Sequence, residues 1–312
     1  MTRSANNLIL SLLFSCWAVS SLAATPAPDP GSNTHLRVRT IAGYLMVVGV
    51  TINDRGPFDF LIDTGTNTTL IDPKLAAELG MKPSDRLKLA SLASAADVPR
   101  YFFQTFRVGS ASVSNQEALA IPLPQLTALD HKIRGVLGMN FLLQFSFRLD
   151  YEHRVLELYP FPDAAQAPAG LRVPVEINES RLLIKVSSDA SPHGSWKLAL
   201  DSGIAQFLVF QDRVSLSSQH SCGTSNCLMQ VSTNLADHKA STIRLQDISI
   251  AGIRLPDTQI VLLRNDIQKT SDLQDGLLPA APFHSVFFDR TNATVIFSPS
   301  PGSVSMAGLQ HP

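Results

Sequence analysis

Two short stretches of the chain each bring a carboxylate to the end of an apolar run and follow it at once with a hydroxyl residue and a glycine. The first is Phe58-Asp59-Phe60-Leu61-Ile62-Asp63-Thr64-Gly65-Thr66, and the second is Trp196-Lys197-Leu198-Ala199-Leu200-Asp201-Ser202-Gly203. The runs read as buried strands, so each Asp stands at the rim of a core. Two carboxylates brought into contact there cannot both ionise, because like charges repel strongly where water is excluded. The pair then holds one proton. Its ionised member can take a proton from water while the protonated member gives one to an acceptor oxygen. That is chemistry for adding water to a polarised double bond without a covalent intermediate. One Asp-Thr-Gly alone would carry little weight, since Asp and Gly populate ordinary turns.

The surroundings of the two motifs also repeat. Downstream of the first lie Gly135-Val136-Leu137-Gly138-Met139-Asn140-Phe141-Leu142, then Phe147-Arg148-Leu149-Asp150-Tyr151 and Val155-Leu156-Glu157-Leu158. Downstream of the second lie Gly276-Leu277-Leu278-Pro279, then Val286-Phe287-Phe288-Asp289-Arg290 and Val295-Ile296-Phe297. Leu137 follows Asp63, and Leu278 follows Asp201, at nearly the same interval, as do Asp150 and Asp289. A repeat of roughly a hundred residues is too long for a solenoid unit and suits one small all-β domain. Asp150 and Asp289 themselves read as turn formers between the last strands.

These residues resemble the aspartic proteinases of the pepsin and retropepsin type, and most closely the bacterial retropepsin-like branch with two domains in one chain. The resemblance spans nearly all of the chain after its first residues, and it is tighter in the first half than in the second. It implies an all-β fold of two β-barrel lobes related by a pseudo-two-fold, with one short helix each. It also implies that Asp63 and Asp201 hold the reacting water, that Thr64 and Ser202 donate hydroxyls across the two-fold, and that Gly65 and Gly203 let the backbone approach closely. Thr66 would hydrogen-bond the outer oxygen of Asp63. Two departures cluster around the other acid. Ile204 stands where the first motif has Thr66, and Pro279 replaces the glycine of the family's apolar-apolar-Gly element. Asp201 is therefore expected to be the less supported carboxylate and to keep the shared proton.

Composition limits the alternatives. A net charge of −1 with 45% hydrophobic and 16% charged residues gives no basic surface for nucleic acid and no acidic tail. Twenty prolines and seventeen glycines among short apolar runs favour strands over helix bundles. No phosphate-cradling glycine loop and no metal-ligand spacing appears, so neither cofactor nor metal is expected. At the N-terminus, Arg3, the apolar run Leu8 to Ala18 and the small residues Ser21-Leu22-Ala23 read as a signal peptide over residues 1–23. That run is short for a membrane span. Anchoring as a lipoprotein through Cys16 is the alternative. Export leaves Cys222 and Cys227, whose spacing and setting point to a local disulfide; two thiols alone, near His220 and His238, make a weaker metal site.

The remaining organisation is a flexible leader at 24–35, a first lobe at 36–162, a Pro- and Ala-rich linker at 163–170, a second lobe at 171–300 and a tail at 301–312. A hairpin through Asn53-Asp54-Arg55-Gly56 feeds the first motif, and Asp72-Pro73 opens a short helix that ends at Gly80. The small-residue stretch Ala90 to Tyr101 is the candidate for the family's substrate-covering hairpin, or else a plain exposed loop. The expected activity is that of an exported, monomeric endopeptidase acting on peptide or protein. Two other readings stand beside it: a catalytically silent peptide- or ligand-binding protein with the same cleft, and an envelope protein that uses the duplicated domain as scaffold.

Overall fold

The strand that carries the first motif is built from a tight hairpin. Strands Leu45–Ile52 and Arg55–Ile62 pair antiparallel across Asn53 and Asp54, whose φ values of 47° and 62° are the left-handed pair that a two-residue hairpin turn requires. The computed structural model describes residues 17–18, 33–90, 95–160, 167–215, 228–232, 237–263 and 273–298. On its other side Arg55–Ile62 pairs in parallel with Ile133–Leu137, which in turn pairs antiparallel with Thr69–Ile71. A late strand therefore lies between the motif strand and the segment that follows the motif.

The second half repeats this arrangement. Arg181–Ser187 pairs antiparallel with Ser195–Asp201, which pairs in parallel with Gly276–Pro279, which pairs antiparallel with Phe207–Phe210. The next neighbours also correspond: Thr69–Ile71 runs parallel to Ala111–Ala120, and Phe207–Phe210 runs parallel to Thr258–Leu263. In the first half, pairing of Ala95–Val108 with both Ala111–Ala120 and Leu45–Ile52 closes the ring of strands. A separate six-stranded sheet takes strands from both halves in the order Leu171–Pro174, Thr294–Ser298, Ser285–Asp289, Phe145–Asp150, Val155–Pro160, Thr34–Arg37. Its central pair sets Phe147 opposite Phe288, with buried rings 5.5 Å apart. The same two strands end in matching turns. Asp150 accepts the His153 N–H at 2.8 Å, and Asp289 accepts the Asn292 N–H at 3.1 Å.

The helices are distributed less evenly than one per half. Pro73–Glu78 forms as expected, with Asp72 accepting the Lys74 N–H at 2.7 Å and Gly80 at φ 69° ending the turn. The first half adds Pro124–Leu129 and Met139–Leu142. In the second half the described residues hold only a 3₁₀ turn, Gln211–Arg213. Local chemistry explains the difference. The turn Met139–Leu142 uses the Phe141 N–H, and Pro282 at the corresponding place has none to give. No Asp caps Gln211–Arg213. No helix among the described residues is long and apolar enough to cross a membrane.

The candidate covering segment is part of a hairpin: Asp85–Ala90 pairs antiparallel with the first residues of Ala95–Val108. Residues 91–94 at its tip lie outside the described residues, as do 161–166 of the region between the halves and the pair Cys222 and Cys227. The outer strand of the hairpin is paired in turn by Trp17–Ala18, in the register Trp17↔Ala90 and Ala18↔Leu89.

The strand threaded into each half demands glycine where it enters. A Cβ on Gly276 would lie 2.0 Å from the Leu208 carbonyl oxygen, and one on Gly135 would lie 2.6 Å from that of Leu70. Because the obstacle is backbone and cannot rotate away, Gly276→Ala is expected to cost about 3 kcal/mol, the upper end of overpacking penalties. Urea denaturation of the two proteins measures it, and a loss under about 0.5 kcal/mol, the size of an ordinary surface substitution, contradicts the close passage.

Candidate active site

The hairpin and the threaded strand leave Ile62 and Leu200 at matched positions, and the chain turns immediately after each. The two turns interlock. Ser202 Oγ accepts the Thr64 N–H at 3.0 Å and donates to the Ile62 carbonyl at 3.0 Å. Reciprocally, Thr64 Oγ1 accepts the Ser202 N–H at 2.9 Å and donates to the Leu200 carbonyl at 2.9 Å. All of these groups are buried. Each turn thus satisfies backbone groups that belong to the other half of the chain.

Asp63 and Asp201 follow from this lock. Both are 0% exposed, and each acid lies against the glycine turn of the other. Gly65 lies against the second acid so closely that a Cβ there would sit 2.3 Å from Asp201 Oδ2, and one on Gly203 would sit 3.1 Å from Asp63 Oδ1. At Gly65 the approach leaves no room for a side chain, and at Gly203 a Cβ would make a tight contact. The structure thus gathers Asp63, Thr64, Gly65, Thr66, Asp201, Ser202 and Gly203 at one point.

The environments of the two acids differ. Asp63 Oδ1 accepts the Gly65 N–H at 2.8 Å and Oδ2 accepts the Thr66 hydroxyl at 2.9 Å, with the Thr66 N–H as a further donor. Asp201 Oδ1 accepts the Gly203 N–H at 2.7 Å, but among the described residues no N–H or hydroxyl reaches its Oδ2. The reason is Ile204, fully buried among Leu183, Ala199, Leu208, Phe210 and Leu277. Burial raises the pKa of both acids. For Asp63 the donors from Thr66 and Gly65 oppose that shift, whereas for Asp201 the charge of Asp63 adds to it. Burial and the neighbouring charge thus push Asp201 well above the ordinary carboxylate range, while the donors to Asp63 restrain its rise.

Bracing behind the loops is unequal in the same sense. Asn140 Oδ1 accepts both the N–H and the hydroxyl of Thr69, at 2.9 and 2.8 Å, and its Nδ2 donates to the Glu117 carbonyl at 2.9 Å. The N–H groups of Met139 and Asn140 donate to the carbonyls of Thr66 and Asn67. In the second half Pro279 has no N–H, Ala281 stands at the place of Asn140, and the Ala280 N–H donates to the Asp201 carbonyl at 2.9 Å.

A model of the aspartyl protease family matches residues 48–141, the segment that holds the first motif, the hairpin Asp85–Arg100 and the brace at Asn140. The fold is all-β with a few short helices, and the family match lies within its first half. A solved structure described as the crystal structure of a retropepsin-like aspartic protease from Rickettsia conorii is similar at 18% identity and a TM-score of 0.31, over 41% of this chain and 94% of that one. No curated protein matches the chain.

Three residues of this site carried no role in the sequence reading. Asn140 stood inside a quoted motif, but its bonds to Thr69 depend on the fold. Tyr44 and Tyr151 belong to no motif at all. Burial raises the pKa of both phenols, and the charges of Asp201 and then Asp63 raise it further, so both stay protonated beside the acids. The Tyr151 hydroxyl is buried and has no hydrogen-bond partner among the described residues.

The lock predicts its own contribution to stability. Thr64→Val removes a hydroxyl that satisfies both the Ser202 N–H and the Leu200 carbonyl, and it is expected to destabilise the protein by about 2–4 kcal/mol, the cost of stranding two buried backbone groups. Ser202→Ala should do the same. The double variant should lose clearly less than the two single losses combined, because both act on one network. Additive losses in a urea-denaturation cycle would show that the two turns are not coupled.

Proposed function

We propose that the chain is an exported aspartic endopeptidase that hydrolyses peptide bonds with water activated between Asp63 and Asp201. One observation carries this reading: two fully buried carboxyl groups, each against the other's glycine turn, on turns locked to each other. Ionised Asp63 takes a proton from water as the oxygen adds to the peptide carbonyl carbon, and Asp201 gives its proton to the carbonyl oxygen. The resulting gem-diol collapses when Asp63 passes its proton to the amide nitrogen and a diol hydroxyl returns one to Asp201. The C–N bond breaks and the pair is restored. Because one chain supplies both acids, a monomer suffices.

An extended peptide would bind beside the hairpin Asp85–Arg100 by strand addition. The strand Trp17–Ala18 of this same chain, paired with Leu89 and Ala90, supports that edge as a receptor for extended backbone. Export rests on the apolar segment Leu8 to Ala18 alone. The second reading, a silent peptide-binding protein, is favoured by the undonated Oδ2 of Asp201 and the proline at 279.

Peptide-library digestion separates the two. Asp63→Asn is expected to lose at least about 100-fold in kcat, the low end of what a general base contributes. Wild-type turnover in that variant, or a folded wild type that binds peptides and never cuts them, ends the proteinase reading. Activity needs Asp63 ionised and Asp201 protonated. With both pKa values raised by burial, the active window lies above the ordinary carboxylate range. Ile204→Thr offers a hydroxyl to Asp201 Oδ2, favours its anion and should move the alkaline limb of the pH–rate profile to lower pH.

The same shift bears on folding. Asp201 has a folded-state pKa above its unfolded value. Its contribution to stability is therefore present below the unfolded value and is lost as pH rises through the folded one. Asp201→Asn should accordingly raise the urea midpoint at neutral pH and change it little near about pH 4, the unperturbed carboxylate range. A neutral-pH midpoint that falls in this variant contradicts the assigned shift.

A further inference from the structure

Strand Ala95–Val108 changes neighbours at a single residue. From Arg100↔Leu119 to Val108↔Ala111 it pairs with Ala111–Ala120, inside the closed sheet. From Arg100↔Asp85 to Ala95↔Ala90 it pairs with Asp85–Ala90, beyond the reach of Ala111–Ala120. Arg100 is thus the root at which the hairpin leaves the body of the first half.

That root is clamped. Arg100 Nε donates to Asp85 Oδ1 at 2.6 Å, and its Nη2 donates to Asp85 Oδ2. The guanidinium lies 5.1 Å from the centre of the Phe102 ring. Its carbonyl accepts the Ser84 N–H at 2.8 Å, which fixes the chain just before the pair. The Arg100 side chain is only 16% exposed. Isolated surface ion pairs contribute little, and the Asp85 side chain is 46% exposed, but this pair is a two-point fork, the geometry in which Arg–carboxylate pairs become directional. It also sits where a small change of angle moves the whole hairpin.

Past the root, the hairpin packs on the same apolar cluster as residues that flank the two acids. Leu87 and Val98 pack into an apolar cluster with Tyr44, Leu61, Leu70 and Ala205. Leu61 lies two residues before Asp63, in the strand that leads to it, and Ala205 belongs to the turn after Asp201.

We propose that the Arg100–Asp85 pair is a clasp that sets the position of the hairpin Asp85–Arg100 over the two motif loops, making Arg100 a positioning residue for substrate capture. Its effect on catalysis rests on the proteinase reading, whereas its effect on the hairpin does not. Without the clasp the hairpin spends less time seated, and the apparent affinity for an extended peptide falls by that fraction.

The experiment is amide hydrogen exchange and steady-state kinetics on the full chain, comparing wild type, Asp85→Asn and Asp85→Glu. In Asp85→Asn, amides of residues 86–90 and 95–98 should exchange about fivefold faster, roughly the loss of one forked ion pair. Those of Arg55–Ile62 should be unchanged. KM should rise by a similar factor with kcat nearly constant, and Asp85→Glu, which keeps the carboxylate, should restore both. Unchanged hairpin exchange in Asp85→Asn overturns the clasp, and so does an Asp85→Glu protein as loose as the Asn variant. If no variant cuts peptide, the proteinase reading fails while the exchange result still decides the clasp.

Discussion

Two carboxylic acids pressed together away from water are unfavourable to bury, and everything else near them is arranged to make that burial tolerable. The decisive contacts are the four crossed hydrogen bonds between the Thr64 and Ser202 turns. They use side chains of one half to satisfy backbone of the other, so neither turn is complete by itself. The six-stranded sheet repeats the principle on a larger scale, since its central ladder joins Phe145–Asp150 to Ser285–Asp289. The halves are held together both at their most polar point and through an apolar sheet.

Within that near-symmetry the acids are made unequal by very little. One side offers a hydroxyl at Thr66 and a brace at Asn140; the other offers Ile204 and Pro279. The mainchain donors at Gly65 and Gly203 are common to both. In water such differences would be blurred by solvent dipoles. In an enclosed site they decide which oxygen bears charge. The protonated phenols of Tyr44 and Tyr151 share the same enclosed region.

The chemistry-bearing residues were legible in the sequence because the chain states them twice. Asp-Thr-Gly and Asp-Ser-Gly, each ending an apolar strand, named the atoms that meet, and Asp72-Pro73 marked a helix start that local capping determines. The hairpin through Asn53 and Asp54 was legible for the same reason, being set by two residues. What stayed hidden depends on distant pairing. Periodicity made Arg55–Ile62 a strand, but nothing in it revealed that Ile133–Leu137 would run alongside in parallel. The extra turn at Met139–Leu142 is too short to show a helical period. Tyr44 and Tyr151 act through space from ordinary positions, and Cys222 and Cys227 lie outside the described residues.

The threaded strands also impose an order of events. Arg55–Ile62 cannot complete its sheet until residues 133–137 exist, and Ser195–Asp201 must wait for residues 276–279. The shared sheet needs residues 285–298 as well. During synthesis from the N-terminus, Asp63 therefore spends most of the time needed to build the chain with no partner acid, and the pair assembles only when nearly all of the polypeptide has emerged. Non-local pairing of this kind slows folding. Here it also acts as a timer: a nascent or truncated chain has both acids in its sequence, yet lacks the contact that would let them work as one.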